Sequence, residues 1–123
     1  EDLIAEGDFT EGGGQAAMRR LLPHRPTAVF AASDMMAVGA LKVLREAGLR
    51  VPEDVAVVGF DDIPLASMVE PPLTTVRQPI EQLGSMAVEL LVSLLENPGE
   101  ETTHRVVLPT ELVIRASCGV RSR

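Results

Sequence analysis

Thr27–Asp62 reads TAVFAASDMMAVGALKVLREAGLRVPEDVAVVGFDD. Its opening run, Thr27–Ala32, is short and apolar, and so is Val55–Phe60 near its end. Runs of this kind suit strands buried on both faces, as in a parallel sheet. Between them Ser33 and Asp34 open a helix. Met36, Ala37, Ala40, Leu41 and Leu44 share one of its faces, and Gly48 closes it. Strand, helix, strand is a βαβ unit, parallel and with a right-handed crossover. Phe30 lies inside the first strand and is expected in the core.

The pattern extends outward on both sides. Leu3–Glu6 reads as a short strand and Gly7–Thr10 as a turn. Thr10 can cap the helix that follows, because its hydroxyl accepts an orphan backbone N–H. That helix carries Ala16, Ala17, Leu21 and Leu22 at helical spacing, with Met18 beside them, and stops before Pro23 and Pro26. Gly12, Gly13 and Gly14 weaken its first turn by roughly 1 kcal/mol each against alanine. They are either tolerated there or leave room for something to approach the backbone closely. Downstream, Leu73–Arg77 reads as a strand. Pro79–Leu95 reads as a helix with Leu83, Ala87, Leu90, Leu91 and Leu94 on one face. Asn97-Pro98-Gly99 ends it. Val106–Leu108 and Glu111–Arg115 read as two further strands, and residues 118–123 as a flexible tail. His24 is expected on a surface loop and His104 on a strand edge.

Composition narrows the function classes. The chain has 123 residues, is 46% hydrophobic and 24% charged, and carries a net charge of −7. That size and balance describe one globular domain. The excess of acid disfavours nucleic-acid binding by this chain alone. No apolar run approaches the ~20 residues of a membrane span. One cysteine, Cys118, forms no internal disulfide, and the two histidines are too far from it in sequence to suggest zinc. With no initiator Met and no signal peptide, the chain reads as part of a longer protein.

In an open parallel sheet, ligands bind beyond the carboxyl ends of the strands. Two such ends are visible, Phe30–Asp34 and Val58–Asp62. Both deliver small polar or carboxylate groups to one rim, where Gly59 would let the backbone turn. Phe9, on the turn after the first strand, falls there too. Carboxylates accept paired hydrogen bonds from hydroxyls or amines, and aromatic faces pack on rings. This constellation suits non-covalent capture of a small polar ring. Ser33 and Asp34 are either ordinary N-caps or ligand groups. Asp61 reads as the binding carboxylate and Asp62 as a cap for a short turn; Phe60 is either core or site. No Ser–His–Asp, Cys–His or metal-ligand spacing is present, so neither enzyme, metal nor cofactor is expected. A strand-end phospho-acceptor at Asp61 would want a nearby lysine, and Lys42, the only lysine, lies on the helix. Gly12–Gly14 lacks the Lys and Ser/Thr of a phosphate loop. Met35 and Val38, with Met68 and Val69, form either a dimer patch or a wider buried face.

Four segments then resemble the LacI/GalR-type transcriptional regulators. They are Arg25–Leu41 (RPTAVFAASDMMAVGAL), Leu49–Asp62 (LRVPEDVAVVGFDD), Pro71–Pro79 (PPLTTVRQP, followed by Leu83-Gly84 and Ala87) and Leu108–Arg115 (LPTELVIR). They run in order over nearly the whole chain. The resemblance implies an α/β fold: a three-layer parallel-sheet lobe of the periplasmic-binding-protein-like type I class, present here as a partial chain. Residues 1–117 would form the C-terminal portion of an effector-binding and dimerisation domain. Gln78-Pro79 would mark a crossover, the 80–97 helix would belong to the other lobe, and the chain would return near Arg105.

By the same resemblance, Phe9 matches the aromatic that packs on the effector ring and Asp61 the carboxylate that binds its hydroxyls or amines. Ser33 stands where Asn is common; Phe60 and Gln78 match further cleft positions. Met35, Val38, Met68 and Val69 match the surface that forms a homodimer. The function implied is a cytoplasmic ligand-responsive regulator, a repressor, with a sugar or nucleobase-like effector. Operator DNA would be reached only through an N-terminal helix-turn-helix outside this chain. A secreted sugar-binding protein of the same fold is the alternative.

Overall fold

Thr10 starts the first helix: its side chain accepts the Gly13 N–H at 3.0 Å, the role its hydroxyl predicts. The computed structural model describes residues 2–99 and 105–120. Helix α1 runs Glu11–Leu21 and passes into a 3-10 turn, Leu22–His24, where Pro23 sits and His24 is exposed. Strand β1 is Ala28–Phe30. Helix α2, Asp34–Glu46, is capped by Ser33 and followed by Gly48 at φ 75°. Strand β2 is Ala56–Asp61, and a 3-10 turn, Pro64–Ser67, leads to β3, Thr74–Arg77. Helix α3, Ile80–Glu96, and strand β4, Glu111–Val113, come next, and Ala116–Cys118 makes a last 3-10 turn.

The four strands stand in the order β1-β2-β3-β4. β1 and β2 are parallel, Val29 beside Val57; β2 and β3 are parallel, Gly59 beside Thr75. The central βαβ unit therefore forms as its apolar pattern predicts. The described residues fall into two compact units, one up to Arg77 and again from Leu112, the other Gln78–Glu111.

The core of the first unit joins Met18 of α1, Ala37, Ala40, Leu41, Val43 and Leu44 of α2, Val57 of β2, and Val55, Ala66 and Leu73 of the connecting segments. In α2 the buried set recurs at the helical period. Met18, set beside the stripe in the sequence reading, is the apolar residue that α1 buries; Met36 is only partly buried. In the second unit α3 has no buried residue.

Five expectations are corrected. β1 is not buried on both faces: it is an edge strand, Val29 alone packs against the core, and Phe30 is 63% exposed. Side chains alternate across a strand, so Phe30 points away from the face that Val29 shares with the core. Leu3–Glu6 forms no strand, and neither does Val106–Leu108. An apolar segment becomes a strand only with a neighbour to complete its ladder. Of the predicted tail, Cys118 belongs to the last 3-10 turn; residues 121–123, like His104, lie outside the described residues.

Of the glycines near the start of α1, Gly14 has a tertiary cause. A Cβ on Gly14 would overlap the backbone of Met36, and one on Gly39 would overlap Glu11 O and lie 2.8 Å from Gln15 N. The helices α1 and α2 thus touch backbone to backbone through two glycines. What approaches Gly14 is α2, whereas a Cβ on Gly13 would overlap the Asp8 side chain. Gly14→Ala gains up to ~1 kcal/mol of helix propensity, but overpacking against a backbone costs about 1–3 kcal/mol or more. The clash wins: urea unfolding should show Gly14→Ala destabilised. Gly12→Ala, whose Cβ would meet only Thr10 Oγ1 at 3.9 Å, should be neutral or more stable by about 0.5 kcal/mol.

Candidate functional site

The carboxyl ends of β1, β2 and β3 lie on one side of the parallel sheet. Beyond β1 the chain enters α2 through Ser33, which is 6% exposed and accepts the Met36 N–H at 3.3 Å. Ser33 is therefore a helix cap. Asp34 is no cap. It is fully buried, with Oδ1 accepting the Thr75 hydroxyl at 2.6 Å and Oδ2 accepting the Ile63 N–H at 2.9 Å. One side chain so ties the start of α2 to β3 and to the loop after β2. Gly59 is corrected from a backbone turn to a space-maker: it lies within β2, and a Cβ there would overlap the Asp34 carboxylate.

β2 ends in Phe60, half-buried, and Asp61, and Asp62 follows it; both aspartates are at positive φ, 119° and 60°. Asp62 is corrected from cap to ion-pair centre. The 3-10 turn after it has Ile63 at its N-cap and no side-chain cap. The Asp62 carboxylate instead accepts Arg77 Nε at Oδ2 and Arg115 Nη1 at Oδ1, each at 2.7 Å. Two charge-assisted bonds outcompete one backbone N–H. Burial works to raise its pKa, but the hydrogen bonds from Arg115 and Arg77 and their charges outweigh it and hold the carboxyl below its ordinary value. Arg115 Nη1 also donates to Leu73 O at 3.0 Å, and its N–H donates to Thr74 Oγ1 at 2.8 Å. Below this cluster Ser117 Oγ donates to Val57 O at 2.6 Å and accepts the Thr74 N–H at 2.8 Å, joining β2 to β3.

Phe9 sits at φ 66° on the turn before α1 and is 65% exposed. Asp8 shapes that turn by accepting the Thr10 N–H at 3.0 Å. Phe9 lines a mostly apolar cavity of about 370 Å³ together with Phe30, Ala31, Ala32, Met18 and Met36. Phe30, expected in the core, is a cavity wall. Gln78 follows Arg77 directly and opens the second unit. On α2, Met35 and Val38 are partly buried; Val69 packs against the core, and Met68 is 73% exposed. Among the described residues no group of His, Cys, Asp and Glu is placed to hold a metal ion, and no helix is long and apolar enough to cross a membrane.

Sequence reasoning missed Arg77, Arg115, Thr75 and Ser117. One signal was available. Two of the family-like segments carry an arginine at or near the end of a strand, and a third ends in paired aspartates.

A family model described as a periplasmic binding protein-like domain matches residues 1–118. The HTH-type transcriptional regulator CelR of Thermobifida fusca is 51% identical over 119 residues, which cover 95% of this chain and 35% of that protein. The ribose operon repressor of Escherichia coli K12 is 51% identical over 94 residues, 75% of this chain and 28% of that protein. A solved structure of a transcriptional regulator CelR–cellobiose complex matches with a TM-score of 0.85 at 51% identity, covering 90% of this chain and 34% of that one. The chain spans about a third of the length of these proteins.

A carboxyl held below its ordinary pKa stabilises the fold fully above the unfolded value, near 4, and less as pH falls through the folded one. Asp62→Asn should therefore destabilise the protein by about 2 kcal/mol at pH 7. The gap to wild type should close as urea unfolding is repeated at progressively lower pH below ~4.

Proposed function

This chain belongs to the periplasmic-binding-protein-like family, within it to the LacI-type regulators, and we propose that it supplies part of the effector cleft and dimer interface of a sugar-responsive transcriptional repressor. The observation that carries the reading is the rim of the parallel sheet. Phe9 lines a cavity with Ala31 and Ala32, just beyond the end of β1, while Phe60 and Asp61 end the neighbouring strand. That is where open α/β sheets take their ligands. A phenyl ring packs on the C–H face of a sugar ring, and a carboxylate accepts paired hydroxyls.

A sugar is favoured over a nucleobase because relatives are named for ribose and a matching structure holds cellobiose. A regulator is favoured over a secreted binding protein because those relatives are named as regulators and repressors. Ser33, spent on its helix cap, would serve the cleft by placing α2; Gln78 and Phe60 would line it. Met35, Val38, Met68 and Val69 would contribute to a homodimer contact. The effector acts by binding one arrangement of the domain better than another, since only differential affinity shifts a population. Operator DNA would be bound by a helix-turn-helix elsewhere in the protein, in the cytoplasm.

Two measurements test this reading. Asp61→Asn keeps the side-chain shape and tolerates positive φ but removes the charge. In calorimetric titration with cellobiose and ribose it should weaken binding about tenfold or more, with the circular dichroism spectrum unchanged; unaltered affinity would sink the assignment. Met68→Asp should weaken self-association by about tenfold or more in analytical ultracentrifugation, as expected for a charge placed in an apolar contact.

A further inference from the structure

Asp61 and Asp62 occupy consecutive left-handed conformations, φ 119° and 60°. L side chains disfavour that region, and such a pair persists only where its surroundings over-determine it. Here it is pinned on every side. Asp61 is paired with Arg77 across the sheet. The next backbone N–H beyond the pair, that of Ile63, is held by Asp34 at 2.9 Å. Between these, the Asp62 side chain is 9% exposed and receives two guanidinium groups at 2.7 Å. Arg115 is itself anchored to Leu73 O and to Thr74. The two arginines also flank the second unit in sequence: Arg77 is the last residue before it, and Arg115 follows the return at Leu112.

We propose that Asp62 is a positioning residue for Asp61: clamped by Arg77 and Arg115, it holds the left-handed turn that orients the Asp61 carboxylate toward a hydroxyl-bearing ligand. The ligand half of this statement rests on the effector reading above; the clamp does not. The physical reason is cooperative. A buried carboxylate with two charge-assisted bonds is expensive to displace, and the backbone next to it cannot relax to an extended conformation without displacing it.

The test is a double-mutant cycle in the full regulator that carries this chain, titrated with cellobiose and ribose, beside hydrogen exchange of the segment Gly59–Pro64. Asp62→Asn should weaken sugar binding about tenfold and speed exchange in that segment about tenfold. Added to Asp61→Asn, it should weaken binding no further, because it acts through Asp61. Additive losses overturn the proposal, and so does unchanged exchange in Asp62→Asn. If neither sugar binds the wild-type protein, the effector reading fails for those sugars and exchange alone decides the clamp. Should Asp62→Asn not fold, Arg77→Gln replaces it, since that arginine is half exposed. Faster exchange confined to Gly59–Pro64 supports the proposal, and unchanged exchange overturns it.

Discussion

The carboxylate of Asp34 organises the first unit. It is fully buried, and both oxygens accept hydrogen bonds, one from the Thr75 hydroxyl and one from the Ile63 N–H. A carboxylate taken out of water is tolerated only when such partners replace its hydration. Meeting that demand fixes three things together: the start of α2, the side chain of β3 that faces it, and the exit of the chain from β2. Gly59 is required because Asp34 occupies the space a side chain would need. The rim at the strand ends inherits its geometry from these buried bonds.

A second set of polar groups works on the other strand ends. Asp62, Arg77 and Arg115 join the ends of β2 and β3 to the segment after β4, while Thr74 and Ser117 close the seam between β2 and β3. Surface ion pairs contribute little, but here the carboxylate is 9% exposed and one guanidinium 19% exposed, so water screens the pair less. Strength is therefore concentrated where the chain is conformationally least comfortable, at the positive-φ pair Asp61-Asp62. In the second unit Ile80, Leu83, Val88, Leu91 and Leu95 of α3 are exposed, and the helix buries none of its residues.

Much of the fold was legible in the sequence because it depends on near neighbours. The Thr10 cap, the Gly48 stop and the period of α2 each follow from residues a few positions apart, and the parallel pairing of β1 and β2 follows from the helix that the sequence sets between them. The location of the rim was legible for the same reason, since the ends of strands can be read from where the apolar runs stop. The division of labour within it was less so. Asp61 and Asp62 are chemically identical, and Asp62 was misread as a turn cap because the arginine that claims it stands at position 115. Phe30 was misread as core because periodicity shows which residues are apolar but does not show which face of an edge strand finds a cover.

By itself the sequence determined the three helices, the parallel central unit and the stretch that carries the polar rim. These are local choices of propensity, capping and alternation, made within a turn or two of chain. Only the tertiary structure decided that Gly14 and Gly39 let two helices touch backbone to backbone. It alone assigned Asp34 to a buried bridge and bound Asp62 to Arg77 and Arg115. Those outcomes depend on groups distant along the chain and close in space, and hydrogen bonds and steric overlap act only over a few ångströms of space, whatever the distance in sequence.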